Sequence, residues 1–559
     1  MKGKEQLNFI EQIIENDLKN DHNKDELCFR FPPEPNGFLH IGHVKAISLN
    51  FSLGKKYNAP VNLRFDDTNP VKENYEYVSA IKKDILWLGY KWKNECFASD
   101  YFEKLYEWAL GLIKNSKAYI DSQDSNKIAQ QKGTTTLAGT NSPYRNRPIK
   151  ENLKIFQEMK EGKHPEGSHV LRAKIDMNSP NLLMRDPVLY RVLFKEHHRT
   201  KKTWCIYPLY DWAHGESDYI EKITHSLCTL EFKPHRELYN WFLNELPTLK
   251  HKKPKQIEFA RLNMSFTVTS KRKLSELVKE NHVSGWDDPR MPTISGLRRR
   301  GYPPEALINF VKKAGISKRE NTIDFSLLEF YVREALNKTA PRVMAVLNPV
   351  KLIITNYPTN KEEYLEAENN PENKSQGTRK IRFSKSILIE KEDFQEAFSE
   401  KFFRLSIGKE VRLKNAYIIK ANSLKKDKSG SITEIYCSYD PQSKSGSGTV
   451  QSKRKVKGTI HWVSEKHCFD IEVNLYDRLF NTEAPDRNKD RAFTQFINKE
   501  SFVKINAKAE ESLVSAKEGD IFQFQRMGYF VVDKESRKEK TIFNKTVGLR
   551  DNWTKKERG

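Results

Sequence analysis

The hydrophobic pattern near the N-terminus predicts a strand, a rigid turn and a helix in direct succession. Residues 27–31 are apolar and aromatic apart from Arg30, which is typical of a short buried strand. Three prolines among residues 32–35 cannot donate ladder hydrogen bonds and therefore end this strand. Beyond Gly42, apolar side chains recur at the spacing of one helix face, at Val44, Ile47 and Phe51.

The pattern of alternating apolar runs and helical stretches continues to about residue 95 and predicts an open α/β sheet. Residues 61–65 form the second predicted strand, and Asp66 and Asp67 follow it directly. Acidic groups at the carboxyl end of a strand lie where such sheets bind ligands. A carboxylate there can pair with an ammonium group, and an Asp helix cap is the alternative.

The pattern changes twice further along the chain. Residues 100–203 are rich in turns and interrupt the α/β pattern, so we expect an insertion, after which residues 203–232 return to the α/β core. From about residue 350, short β-rich runs are separated by Gly, Pro, Asn and Lys turns, which is typical of all-β barrels. Before the sheet, an amphipathic helix is predicted from Ile10, Ile13, Ile14 and Leu18.

The charge balance adds a partner to this picture. The 559 residues include 97 Lys+Arg and 74 Asp+Glu, a net charge of +23, which favours a polyanion such as nucleic acid. The six cysteines are scattered without a CxxC pair, so neither a zinc ribbon nor a disulfide framework is expected. No apolar run of about 18 residues is present, and residues 1–20 lack a signal-peptide core, so we expect a cytoplasmic protein without a membrane partner.

Two stretches carry candidate chemistry. The turn before the first helix places His40 and His43 with backbone N–H groups at a helix N-terminus, where phosphate binds well. Gly42 would let a ligand approach the backbone closely. Further on, three cations, Lys271, Arg272 and Lys273, follow a strand-like segment and predict a mobile basic loop that stabilises phosphate charge. Ordinary surface histidines and a solvated basic turn are the alternatives.

These stretches resemble the two signatures of class I aminoacyl-tRNA synthetases. Residues 31–43 (Phe-Pro-Pro-Glu-Pro-Asn-Gly-Phe-Leu-His-Ile-Gly-His) are similar to the HIGH signature in the form found in glutaminyl-tRNA synthetases. Residues 268–274 resemble the KMSKS loop, with Thr269 where Met is usual. Residues 64–70, 224–232, 454–464 and 543–551 extend the resemblance to that family over residues 25–553.

The resemblance implies a Rossmann-type catalytic domain in the α/β class with all-β anticodon-binding barrels. The implied domains are an N-terminal helix (1–24), the first catalytic half (25–99), an acceptor-end-binding insertion (100–203), the second catalytic half (204–262), a KMSKS-type loop with a helical subdomain (263–345) and two β-barrels (346–559).

The reaction implied by the resemblance joins L-glutamine to its tRNA in two steps. ATP, as its Mg²⁺ complex, activates the glutamine carboxyl to an adenylate, and the terminal ribose of the tRNA then attacks. His40, His43 and Lys271 would be catalytic. The implied ATP-binding residues are Glu34, Pro35, Asn36, His40, Ile41, Gly42, His43, Val44, Lys45, Ala46, Thr229, Arg261, Leu262, Thr269, Ser270 and Lys271. The implied glutamine-binding residues are Asp66, Tyr210, Arg30 and Gln256.

The resemblance also implies tRNA contacts, and the protein is expected to act as a monomer with no resident metal. Arg342 and Arg412 match positions near the anticodon. In the family's insertion, an apolar side chain on a hairpin opens the terminal base pair of the tRNA. The aligned position here is Thr135, and Leu137 lies two places away.

Two other functions compete with glutamine charging. Eukaryote-type glutamyl enzymes share the barrels and the chemistry, although they tend to have Ala-Ser where this chain has Pro35 and Asn36. The other alternative is an RNA-binding paralogue with an inactive site. The intact His40, His43 and Lys271 argue against it, because a protein that only binds RNA does not need all three.

Overall fold

The structure, a computed structural model, describes residues 6–71, 73–246, 251–397, 399, 401–488 and 490–550. The two ends of the predicted domain series, residues 1–5 and 551–559, lie outside the described residues. The chain folds into two compact units. The first comprises residues 1–263 and 311–323, and the second comprises residues 264–310 and 324–559.

The α-helices of the described residues are Phe9–Asn20 (α1), Ile41–Tyr57 (α2), Tyr75–Trp87 (α3), Phe102–Lys114 (α4), Ser125–Gln131 (α5), Ile149–Lys160 (α6), Tyr210–Ile220 (α7), Arg236–Glu245 (α8), Lys271–Lys279 (α9), Ile294–Arg299 (α10), Pro304–Ala314 (α11), Phe325–Thr339 (α12) and Val450–Lys453 (α13).

The strands up to residue 323 are Phe29–Phe31 (β1), Val61–Phe65 (β2), Glu95–Phe97 (β3), Ala118–Asp121 (β4), Val170–Ala173 (β5), Val188–Val192 (β6), Ile206–Pro208 (β7), His225–Thr229 (β8), Lys255–Phe259 (β9), Asn263–Met264 (β10) and Thr322–Ile323 (β11).

The later strands are Arg342–Val343 (β12), Ala345–Val346 (β13), Pro349–Ile354 (β14), Glu363–Glu368 (β15), Thr378–Phe383 (β16), Ser386–Glu390 (β17), Phe394–Gln395 (β18), Leu405–Ser406 (β19), Glu410–Leu413 (β20), Ile418–Lys426 (β21), Ile432–Tyr439 (β22), Thr459–Ile460 (β23), Val463–Ser464 (β24), Phe469–Tyr476 (β25), Phe502–Ala509 (β26), Ile521–Phe524 (β27), Gly528–Val532 (β28) and Thr541–Val547 (β29).

The predicted α/β sheet is confirmed in the first unit. Strands β1, β2 and β3 pair in parallel, and β8 pairs in parallel with β9. The Thr224 N–H donates to the Cys28 carbonyl at 3.1 Å and joins the start of β8 to the start of β1. This gives the order β3–β2–β1–β8–β9, so the carboxyl ends of β1, β2 and β8 meet at one edge. The amphipathic helix predicted near the N-terminus is α1, which buries Ile10 and Ile14.

The insertion contains an antiparallel sheet in the order β4–β5–β6–β7. The prediction that the chain is back in the α/β core from residue 203 is wrong for the strand β7. Pro208 of β7 lies opposite Tyr190 of β6, so β7 completes the antiparallel sheet. Its apolar residues pack into a core shared with α4, α6, α7 and α8. The return to the parallel sheet comes with β8, because β7 has its hydrogen-bonding partner in the insertion.

The predicted β-rich region forms two seven-stranded, barrel-like sheets in the second unit. One has the order β23–β20–β21–β22–β14–β17–β24, and the other has the order β12–β27–β28–β29–β25–β26–β13. The second sheet therefore combines residues 342–346 with strands more than a hundred residues later in the chain. The sheet of residues 349–464 is inserted between these two parts.

None of the α-helices in the described ranges is both long enough and apolar enough to cross a membrane.

Candidate active site

The turn between β1 and α2 uses its two histidines as helix caps. The backbone N–H of Gly42 donates to His40 Nδ1 at 3.1 Å, and the backbone N–H of His40 donates to His43 Nδ1 at 3.1 Å. An imidazole nitrogen that accepts a hydrogen bond carries no proton, so this network assigns the proton of each neutral ring to Nε2. The ring centroids lie 4.0 Å apart. The start of α2 thus presents two Nε2–H donors together with the positive end of the helix dipole.

Gly42 is needed for a different reason from the predicted one. A Cβ atom at residue 42 would lie 2.8 Å from His40 Cε1 and 2.9 Å from its Nδ1. The space that the glycine leaves open is therefore filled by the His40 imidazole. The absence of a side chain allows His40 to fold over the first turn and cap it.

The other predicted ATP-binding residues of this segment divide into a core face and an outer turn. Ile41 and Val44 point into the core, and Lys45 is also buried. Lys45 Nζ donates to the Ala260 carbonyl at 2.7 Å, and burial lowers its pKa. This lysine therefore ties α2 to the segment after β9. The remaining members are the buried Pro35, the exposed Glu34, and the half-buried Asn36 and Ala46.

The predicted ATP residues of the other strands lie at the carboxyl ends of β8 and β9. Thr229 is the last residue of β8, and Leu262 is buried just beyond β9. Arg261 is exposed, and its guanidinium contacts the carboxylates of Glu231 and Glu320. Arg261 therefore lies at the solvent-accessible carboxyl end of β9.

Asp66 lies where the sequence predicts it, immediately after β2, and is almost fully buried. Its backbone N–H donates to the Pro33 carbonyl at 3.1 Å, which ties the end of β2 to the turn after β1. Burial raises the pKa of the Asp66 carboxyl to about 7, and the neighbouring carboxylate of Glu34 adds to the rise, while Arg64 opposes it. A buried carboxylate in acidic surroundings gains from a cationic partner such as an ammonium group.

Tyr210 is the first residue of α7, and its ring stacks on His214 at 5.0 Å and lies 5.4 Å from Phe232. Burial raises the pKa of its phenol well above the ordinary value, and the negative charge of Asp66 contributes to this. Tyr210 therefore remains a neutral hydrogen-bond donor close to Asp66.

Arg30 belongs to a buried ionic network beneath Tyr210. Its Nε donates to Asp218 Oδ1 at 2.9 Å, its Nη2 to Ser226 Oγ at 2.7 Å, and its Nη1 to the carbonyl of Leu227. Arg64 Nη1 reaches the same Asp218 oxygen at 2.7 Å. The Arg30 side chain is thus fully buried, and its positive charge is balanced by the carboxylate of Asp218.

His214 is a site residue that the sequence analysis missed. Its Nε2 lies 2.9 Å from Arg30 Nη2, and burial lowers its pKa to about 3, so the ring is neutral. The sequence contains a signal for this residue: Tyr210, His214 and Asp218 are spaced four residues apart. In a helix, this spacing places the three side chains on one face.

Gln256 is buried on β9, next to the strand that carries Ser226. Its Nε2 donates to the Phe232 carbonyl and to Glu258, each at 3.0 Å. Its Oε1 is buried without a hydrogen-bond partner within the described part of the chain. Gln256 therefore fixes the segment under Phe232, which in turn contacts Tyr210.

The predicted basic loop belongs to the second unit and has a different local structure. Phe266 adopts a left-handed conformation with φ of 55°, and residues 266–270 form no strand. The three cations occupy the first turn of α9, with Thr269 and Ser270 immediately before it. The prediction of a basic loop after a strand is wrong, because Leu274 and Leu277 are buried and anchor the basic segment as a helix.

The loop of residues 133–139 in the insertion presents one apolar side chain to solvent. Leu137 is 65% exposed, and Thr135 is also exposed. Arg185 Nη1 donates to the carbonyls of Lys132, Thr134 and Leu137 at 2.7–3.0 Å. One buried guanidinium therefore holds both sides of the loop and fixes the backbone on which Leu137 is displayed.

Arg342 lies beside strand residues that the sequence analysis did not single out. It is opposite Gln523 in the β12–β27 pair, and its Nη2 donates to Asn337 Oδ1 at 2.8 Å. Gln523 Nε2 donates to the Tyr529 hydroxyl at 2.9 Å. Arg342 Nε is buried and lacks a hydrogen-bond partner among the residues that the structure describes.

Arg412 has a different environment. Its Nη1 donates to the Ser443 carbonyl at 2.9 Å, and its Nη2 donates to the carbonyls of Ser452 and Arg454 at 3.0 and 3.2 Å. These bonds close the loop of residues 443–454 against β20. The guanidinium of Arg412 thus stabilises the barrel-like sheet to which β20 belongs.

A further polar group lies next to Asp66. Asp67, His197 and His198 bring one ligand-type atom each within 4.8 Å of one another. This group could not be predicted from the sequence, because Asp67 lies about 130 residues before the two histidines.

Comparison with known proteins identifies the family. Residues 26–338 match the family model for the catalytic domain of class I (E and Q) tRNA synthetases, and residues 340–440 and 459–533 match the models for their anti-codon binding domains. The chain is similar to proteins named glutamine–tRNA ligase. The identity is 54% for Rhodopirellula baltica (98% of this chain, 90% of the relative) and 51% for Clostridium perfringens (98% of both chains).

A glutamate–tRNA ligase structure from Elizabethkingia meningosepticum matches 56% of this chain and 70% of its own, with 19% identity and a TM-score of 0.41. On the family models and the full-length relatives, the chain belongs to the class I (E and Q) tRNA synthetases.

Proposed function

We propose that this protein attaches L-glutamine to its tRNA in an ATP-dependent reaction that proceeds through a glutaminyl adenylate and serves translation. The observation that carries the proposal is the pair of histidine caps at the start of α2, which offers two Nε2–H donors at a helix N-terminus. The relatives that match nearly the whole chain and are named glutamine–tRNA ligase support the choice of amino acid and acceptor.

In the first step, the glutamine carboxylate attacks the α-phosphate of ATP and pyrophosphate leaves. His40 and His43 donate hydrogen bonds to the phosphate oxygens as their charge develops. Lys271, in the first turn of α9, adds a cation for the α-phosphate and the departing pyrophosphate. ATP is a substrate and brings its own Mg²⁺. In the second step, the terminal ribose hydroxyl of the tRNA attacks the adenylate carbonyl, the acyl–phosphate bond breaks, and AMP leaves as the ester forms and the hydroxyl proton is lost.

Charge balance around Tyr210 favours glutamine over glutamate. Arg30 and Arg64 share Asp218, and Arg64 also contacts Glu221, so the two cations face two carboxyl groups. His214 is neutral. A glutamate side chain would therefore bury its negative charge next to two cations that already have carboxyl partners, whereas the glutamine amide can pair with the Tyr210 hydroxyl. Asp66 receives the α-ammonium group that both amino acids share.

We propose further that the insertion and the barrels hold the two ends of the tRNA. Leu137 opens the terminal base pair, and Arg342 contacts the anticodon. The protein acts as a monomer in the cytoplasm, where translation needs it.

The decisive experiment is charging of glutamine tRNA and glutamate tRNA with labelled glutamine and, separately, with labelled glutamate. We expect glutamine to be attached only to the glutamine tRNA. Attachment of glutamate would reject the charge-balance argument for the pocket. Tight tRNA binding with no charging of either amino acid would reject the enzymatic function.

A further inference from the structure

The residue after Asp66 is held by four hydrogen bonds. The Asp67 carboxylate accepts from the Ser99 N–H at 2.8 Å, from the Ser99 hydroxyl at 2.7 Å and from His198 Nε2 at 3.1 Å. The Asp67 carbonyl accepts from His197 Nε2 at 2.8 Å. Both the side chain and the following peptide plane of Asp67 are thereby fixed.

The hydrogen bonds assign the tautomer of His197. Its Nδ1 accepts the N–H groups of Arg199 and Thr200, each at 3.2 Å, so the proton of the neutral ring lies on Nε2. Burial lowers the pKa of His197 and favours this neutral form. A protonated Nε2 has no lone pair for a metal ion. The group of Asp67, His197 and His198 is therefore a set of hydrogen-bond donors around an acceptor.

Asp66 and Asp67 face different parts of the first unit. The Asp67 carboxylate is bound by Ser99 and by the segment with the two histidines, whereas the charged groups that act on Asp66, besides Asp67 itself, are Arg64, Glu34 and Asp218. Asp66 and Asp67 are joined by one planar peptide unit, so a change in the backbone of Asp67 is passed directly to Asp66. A rotation of Asp67 would therefore swing Asp66 away from the site next to Tyr210.

We propose that His197 and His198 are positioning residues for amino-acid recognition. Through Asp67, they fix the direction in which Asp66 presents its carboxylate to the α-ammonium group of the substrate. This inference rests on the proposed function, and it adds that a segment of the insertion sets the affinity for the amino acid. Neither histidine touches the substrate.

The test compares His197→Leu with His197→Gln, because the glutamine amide can donate to the Asp67 carbonyl in place of Nε2. His197→Leu should raise the KM for the amino acid by about 10- to 100-fold, as expected when a binding group is displaced by about 1 Å. The KM for ATP should stay within about twofold. His197→Gln should recover most of the loss. Lys202→Ala, an exposed neighbour, is the control and should behave as the wild type.

Ser99→Ala removes one donor to the Asp67 carboxylate and gives a second, milder variant in case His197→Leu fails to fold. It should also raise the KM for the amino acid more than the KM for ATP. Equal changes in both KM values, or a His197→Gln variant no better than His197→Leu, would overturn the proposal and leave a purely structural role. One equivalent of bound metal that His198→Gln releases would overturn the tautomer assignment. If the wild-type protein charges no glutamine, the proposed function fails instead.

Discussion

At the scale of single residues, the same atoms that stabilise the start of α2 also set its chemistry. Ser, Thr, Asp and Asn are the usual caps of helix N-termini, and here two histidines form the reciprocal capping box. A capped Nδ1 leaves the proton on Nε2, so the cap determines which ring atom donates. Local helix stability and the proposed phosphate recognition are therefore coupled through the tautomer.

This coupling predicts that the two roles of His40 can be separated. His40→Ser keeps a side-chain oxygen that caps the helix but removes the Nε2–H donor. We expect the melting temperature to stay close to that of the wild type, while adenylate formation falls by about 100- to 1,000-fold, the effect of losing one transition-state donor. The measurements are thermal unfolding and glutamine-dependent pyrophosphate exchange. His40→Ala is the comparison and should lose both stability and activity. A fully active His40→Ser variant would exclude the donor role.

The raised pKa of Asp66 predicts a pH dependence of glutamine binding. The carboxyl is protonated below about pH 7 in the free protein, and only its ionised form pairs with the ammonium group. We therefore expect kcat/KM for glutamine to rise with pH through about 7 and then to level off, since this ratio reports the free enzyme. Asp66→Asn should have a low kcat/KM without this rise. A wild-type profile that is flat between pH 6 and 8 would contradict the assignment.

At the scale of elements, α9 places cations where the helix dipole disfavours them. Lys271, Arg272 and Lys273 form its first turn, at the positive end of the helix dipole. Cations at a helix N-terminus typically cost a few tenths of a kcal/mol each, and a bound anion removes that cost. The placement favours a phosphate-binding role over a solvated turn.

Lys271→Ala should therefore lower adenylate formation by about 100-fold or more, because a cation near the developing charge is lost. The affinity for tRNA should stay within a few-fold. Rapid-quench adenylation and filter binding measure the two quantities. Lys279→Ala, at the exposed end of the same helix, is the matched control. Unchanged turnover in Lys271→Ala would remove this residue from the mechanism.

The loop of residues 133–139 is the second element with a testable role. Leu137→Ala should lower charging of a tRNA with an intact terminal base pair. The variant lacks the exposed apolar side chain that would displace a base of this pair. A tRNA with a mismatched terminal pair should be charged almost normally by the same variant. Thr135→Ala is the comparison. If Thr135→Ala shows the selective loss and Leu137→Ala does not, the wedge is at residue 135.

At the scale of the whole molecule, one seven-stranded sheet combines strands from the beginning and from the end of the β-rich region. It contains β12 and β13 together with β25–β29. Residues 342–346 pair with strands that end at residue 547, and this brings Arg342 next to Gln523. A large loop must close before this sheet can form, which makes the contact strongly non-local. The Arg342 site exists only when both parts are in place.

Replacement of Arg342 should therefore act on recognition, whereas replacement of Arg412 should act on stability. Arg342→Ala should reduce charging of the cognate tRNA more than that of a tRNA with a mutated anticodon. Arg412→Ala should reduce both equally and lower the melting temperature, because four hydrogen-bond acceptors of its barrel lose their donor. Equal losses on the two tRNAs for Arg342→Ala would refute its role at the anticodon.

The sequence predicted what depends on short-range pattern. The strand–turn–helix around His40, the second strand with Asp66 at its end, and the N-terminal helix all follow from apolar spacing within about 20 residues. It failed at β7, whose hydrogen-bonding partner lies in the insertion, and at the basic segment, where buried Leu274 and Leu277 impose a helix. Both failures involve contacts outside the local window.

The order of the residues already specifies the available chemistry: two imidazoles at a helix start, an acidic strand end, a basic segment and a strongly cationic chain. How that chemistry is used depends on the folded protein. It gave His40 and His43 their tautomers, balanced Arg30 against Asp218, and surrounded Asp67 with donors from about 30 and 130 residues away. The physical reason is that protonation state and charge balance depend on burial and on neighbours brought together by folding. Residue spacing along the chain specifies neither the protonation state nor the charge balance.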